Sequence, residues 1–118
     1  MRVNASYLFC RDKPFPVTPC PISRASAKKE IVYVAPSDRG RIADEIFDLP
    51  IVTYRYKTEG DDATPTVGFL IDDVPNASFV DHKENRVNLY SYATAVAAAL
   101  QEERQRTADL EARLERLE

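Results

Sequence analysis

The sequence predicts an α+β fold: a small, mostly antiparallel sheet with one short helix and a long C-terminal coiled-coil helix. Three observations carry this prediction. Short β-branched and aromatic runs alternate with turn formers between residues 30 and 87, one amphipathic stretch lies among them at 41–49, and residues 88–118 contain neither proline nor glycine. On a chain of 118 residues these pieces make one domain, with a core near the lower end of what folds unaided.

Residues 11–21, RDKPFPVTPCP, hold four prolines, so the N-terminal stretch reads as an extended arm that no central strand or helix accommodates. EIVYVAP at 30–36 has the composition of a short strand closed by proline. Residues 37–40 read as a turn in which Asp38 caps a short helix over RIADEIFDL, with Ile42, Ile46 and Leu49 on one face and Pro50 as its stop. IVTYRYK at 51–57 alternates as a half-buried strand with Val52, Tyr54 and Tyr56 on one side. The loop TEGDDATP joins it to a second strand, TVGFLID at 66–72, where Gly68 signals a bulge or a close backbone approach. VPNASFV and the polar turn DHKEN then lead to RVN. In this reading the short helix packs on the sheet.

From Asn88, a good N-cap, one helix runs to the end of the sequence. Steps of four and three residues from Leu89 reach Ala93, Val96, Leu100, Glu103, Thr107, Leu110, Leu114 and Leu117, a heptad seam in which Glu103 and Thr107 alone are polar. With 93, 100, 107 and 114 as a positions, parallel in-register copies pair Arg106 with Glu111 and Arg113 with Glu118 across the interface. The commoner use of such a stripe is to pack on its own domain, which suits Leu89 to Leu100. It does not suit Leu110 to Leu117, so the pattern predicts a parallel homo-oligomer. The organisation expected is an arm at 1–22, a core at 23–92 and a coiled-coil helix at 93–118.

Composition narrows the function. The formal charge of −3 with scattered signs predicts no nucleic-acid partner. No run approaches the ~18 apolar residues of a spanning helix, and MRVNASYLFCRDKPFPV is too weakly patterned for a signal peptide, so no membrane partner and synthesis in the cytoplasm are expected. Cys10 and Cys20 read as free thiols, His82 as a solvated turn residue, and no ligand spacing calls for a metal or another cofactor.

One polar pair stands out. ISRASAKKEI at 22–31 sets Ser23 five residues ahead of Lys28. A lysine activates a serine only when neutral, and at a reference pKa near 10.4 about one in 2,500 is neutral at pH 7. Residues five apart point to opposite faces of a strand and lie about 140° apart on a helix, so a dyad within one chain requires the Ala25–Ser26–Ala27 segment to turn. The plainer alternative makes Ser23 and Ser26 turn residues and Lys28 a solvated strand edge that discourages aggregation.

The order Ser23 to Lys28, Ile31, YRYK at 54–57, VGFLIDDVP at 67–75, VNLYSY at 87–92 and LEARLERLE at 110–118 resembles the intramolecular chaperone domain of phage endosialidases and tail fibres, the peptidase S74 type. The resemblance spans roughly residues 23–118 and is most specific at VGFLIDDVP. It implies a trimerising domain that assembles a fibre-like client polypeptide and, in many members, cuts itself away at a Ser-Asp-x-Arg-x-Lys motif. Ser23 and Lys28 occupy the nucleophile and base positions, whereas Arg24 stands at the Asp position and Ser26 at the Arg position. These departures predict a vestigial dyad and an uncut chain. A reading outside this family is a small oligomeric adaptor that uses the C-terminal helix as a docking surface.

Overall fold

The computed structural model describes residues 23–118. The arm at 1–22, with Cys10 and Cys20, lies outside the described residues. The chain divides into two units, Met1–Val34 and Ala35–Glu118.

In the first unit a 3₁₀ turn covers Ala25–Ala27. Glu30 follows in the left-handed region at φ 57°, which costs a non-glycine residue energy and re-aims the chain. The expected strand at 30–36 does not form. Residues 31–34 enter no ladder, all four side chains are exposed, and Tyr33 is 94% accessible. The reason is physical: β-propensity measures fit to a pleated, half-buried surface, and the described chain offers this segment no partner strand.

The second unit opens with α1, Pro36–Phe47. Helix start and cap differ from expectation. Pro36 occupies the first helical position, where its fixed φ is already helical and its missing N–H is not needed, so residues 37–40 are helix rather than turn. Ala35 is the N-cap, and Asp38 sits in the first turn, where a negative charge favours the helix dipole. Ile42 and Ile46 are partly buried, Ala43 fully, and Leu49 packs into the core just beyond the helix end.

Two antiparallel hairpins follow. β1 (Val52–Tyr54) pairs with β2 (Thr66–Gly68) in the register Val52↔Gly68, Thr53↔Val67 and Tyr54↔Thr66. The strands are shorter than the seven-residue runs at 51–57 and 66–72 suggest, because the intervening loop begins early: the Tyr56 amide donates to Glu59 Oε1 at 2.8 Å and Arg55 Nε to the Ala63 carbonyl at 2.8 Å. Gly68 is the close approach its sequence signalled, since a Cβ there would lie 3.1 Å from the Tyr54 ring. β3 (Val80–Asp81) pairs with β4 (Arg86–Val87), and the turn between them is built by Asp81 Oδ1, which accepts from the Lys83 and Glu84 amides. Asn85, at φ 51°, closes that turn, a backbone region that asparagine tolerates better than most residues. The exposed His82 lies in it.

The chain ends in α2, Leu89–Leu117, whose 29 residues span about 43 Å. Asn88 caps it, its side chain accepting from the Ser91 amide at 3.0 Å. The core is small: Leu49, Ala77, Phe79 and Ala95 are buried, with Phe69 and Tyr92 packed against them. Phe79 is fully enclosed, its ring centroid 5.5 Å from that of Phe69 and 5.3 Å from that of Tyr92. α1 packs chiefly along α2 rather than on a sheet, because each sheet has two short strands and offers too narrow a face. The architecture is α+β, with one short helix, one long C-terminal helix and small antiparallel sheets.

Candidate functional site

The Ser23–Lys28 pair meets within one chain. Lys28 Nζ donates to Ser23 Oγ at 3.2 Å. What permits this is the turn that neither a helix nor a strand supplies: the Ala27 amide donates to the Arg24 carbonyl at 3.1 Å and the Lys28 amide to the Ala25 carbonyl at 3.0 Å. Both side chains are exposed. In this arrangement the ammonium is the donor and the hydroxyl the acceptor, so the nitrogen has no lone pair facing the serine proton. Nucleophilic use of Ser23 requires the opposite polarity, with a neutral amine accepting from the hydroxyl. Residue 22, on the other side of the serine, lies outside the described residues.

The second site is the long helix, which turns one stripe to its own domain and leaves another open. Tyr92, Ala95, Ala99, Glu102 and Arg106 follow one another at three- and four-residue steps and face the domain. Ala95 and Ala99 are buried, their small side chains letting α1 approach, and charged contacts continue the line. Arg39 Nε donates to Glu102 Oε2 at 3.2 Å, Arg106 Nη2 lies 3.3 Å from Asp44 Oδ1, and Arg106 Nε lies 3.5 Å from Glu102 Oε1. The Arg106 guanidinium also stands 5.3 Å over the Phe47 ring.

The heptad seam lies beside this stripe and remains open. Leu89 is 74% accessible, Leu100 69%, Leu110 56%, Leu114 63% and Leu117 84%. Ala93, Glu103 and Thr107 are exposed as well, and Val96 alone is half-buried. Of the seam positions from Leu89 to Leu100, which suited packing on the domain, Val96 alone is partly spent on it. The domain takes the neighbouring stripe.

This division bears on the expected interchain pairs. Arg113, Glu111 and Glu118 are exposed on the distal half of α2, with no ion pair among the described residues. Arg106 is already engaged by Asp44, Glu102 and Phe47 of its own chain. Sequence periodicity assigned it to an interchain pair and missed these contacts with its own domain. The signal was the alanine pair at 95 and 99, a second stripe at helical spacing.

A groove of about 370 Å³ runs between α1 and the loop at 74–77, bordered by Arg41, Asp44, Glu45 and Asp48 around Pro75. Its charges mainly serve the fold. Glu45 Oε2 accepts from the Ser78 amide at 3.1 Å and hydroxyl at 2.8 Å, and Asp44 receives Arg106. Among the described residues no group of three or more metal-ligating side chains converges, and no helix is long and apolar enough to cross a membrane.

Comparison with known proteins finds no matching family model, no similar curated protein and no similar solved structure.

Proposed function

We propose that the chain is an assembly module of the tail-fibre chaperone kind, which trimerises through α2 and promotes trimerisation and folding of a fibre-like client. The observation that carries this reading is the seam: leucines at heptad spacing stay open to solvent along a helix whose adjacent stripe already holds the domain. A single chain gains nothing from that exposure, whereas burying each leucine between copies contributes about 1.5–3 kcal/mol. The Arg113 and Glu118 side chains at its end suit a parallel, in-register arrangement.

Within this reading the Ser23–Lys28 pair is the vestige of a self-cleavage site. The 3.2 Å contact keeps the spacing of such a dyad, while Arg24 and Ser26 replace the residues that the resembling family uses around it.

Fusing the chain to the C-terminus of a trimeric β-fibre segment that does not fold alone tests the proposal. A protease-resistant trimeric fibre is the expected product. An unfolded or monomeric fusion, from a chain whose own circular dichroism is intact, would contradict it.

A further inference from the structure

Assembly through the seam, on which this inference rests, has a feature that bears on its regulation. Glu103 is the single ionisable residue among the nine seam positions from Leu89 to Leu117. It is exposed and makes no hydrogen bond or ion pair among the described residues.

The charges around it are largely committed. On α2 its neighbours are Glu102, Arg104 and Arg106, and from α1 the charged groups reaching this stretch are Arg39 and Asp44. Arg39 pairs with Glu102 at 3.2 Å, and Arg106 bridges Glu102 at 3.5 Å and Asp44 at 3.3 Å. Two arginines thus balance two carboxylates, and neither is left for Glu103. Arg104 is the remaining cation. It stands about 100° round the helix from Glu103, at the solvent rim of the seam, where water and salt screen its attraction.

In parallel, in-register copies the Glu103 side chains meet in one layer, flanked by Leu100 and Thr107 of each copy. Like charges brought together and drawn out of water favour the protonated acid. We infer that the Glu103 layer makes assembly acid-strengthened: copies associate weakly while these carboxylates are ionised and tightly once they are protonated. The sign follows from linkage, because a group that binds its proton more tightly in the assembly strengthens association as pH falls and weakens it as pH rises. For each unit by which assembly raises the proton affinity of Glu103, the association constant changes about tenfold per copy.

Sedimentation equilibrium of the full chain at about pH 7.5 and about pH 5, at fixed ionic strength, is the test, with Glu103→Gln beside the wild type. The wild type should associate about tenfold or more tightly at the lower pH. Glu103→Gln, which keeps every other acid, should associate tightly at both and match the acidified wild type. If the wild type and Glu103→Gln share one pH dependence, or if Glu103→Gln associates less tightly at neutral pH, Glu103 is not the gate and the inference falls while self-association stands. If both proteins are monomers at both pH values, self-association itself falls and takes the gate with it.

Discussion

Replacing Leu110 and Leu114 together by Asp should dissolve the oligomer and leave the domain folded. In the single chain these side chains are 56% and 63% accessible, so more than half of each remains to be buried by a neighbouring copy. Scaling full leucine burial by that fraction gives about 1–2 kcal/mol per residue, hence about 2–4 kcal/mol per chain for the pair. That corresponds to an association constant lower by about 30- to 1000-fold per chain. A carboxylate forced into the interface adds its desolvation cost to this. Neither leucine belongs to the core around Phe79, so the loss should be confined to assembly. Light scattering at matched concentrations reads the mass, and near-ultraviolet circular dichroism reads the packing of Phe69, Phe79 and Tyr92. A double variant with the wild-type mass would refute the reasoning, and so would a monomer whose aromatic signal has collapsed.

Three further outcomes are expected. Phe79→Ala, which empties the one fully enclosed large side chain among the described residues, should cost about 3–5 kcal/mol in urea unfolding, and a loss under about 1 kcal/mol would place the core elsewhere. Incubated at neutral to mildly alkaline pH, the purified chain should stay uncut at Ser23 by mass spectrometry; a fragment beginning there that both Ser23→Ala and Lys28→Ala abolish would make the dyad active. The Tyr54 phenol should titrate above ordinary tyrosine, because its hydroxyl shares a hydrogen bond with Tyr56 and Glu59 adds negative charge nearby. A raised value means the contribution is present at neutral pH and is lost as pH rises through the alkaline titration, and Tyr56→Phe should lower the Tyr54 midpoint in an ultraviolet absorbance titration.

Different elements were legible in the sequence for different physical reasons. α2 and its cap were readable because an unbroken run of strong helix formers after Asn88 needs no tertiary information. The β1–β2 hairpin was readable from alternation around a turn-rich loop, though its ladder is cut short by side chains that fold the loop onto Arg55 and Tyr56. Pro36 misled because a proline that closes a strand and one that opens a helix look alike locally, and the choice depended on whether residues 31–34 had a partner. At Ser23 and Lys28 the five-residue spacing argued against contact in any regular element, and a 3₁₀ turn, too short to leave a periodic signal, brought them together. The heptads picked out a leucine stripe that the fold leaves exposed, yet only the packing of α1 on Ala95 and Ala99 revealed which flank of it the domain takes.

The mass of the unmodified chain in solution tests the central claim most directly. Sedimentation equilibrium on the order of tens of micromolar chain, a range where moderate coiled-coil contacts hold, should give three times the 13.3 kDa chain mass. A species of 13.3 kDa at that concentration, at neutral and at acidic pH alike, would contradict it.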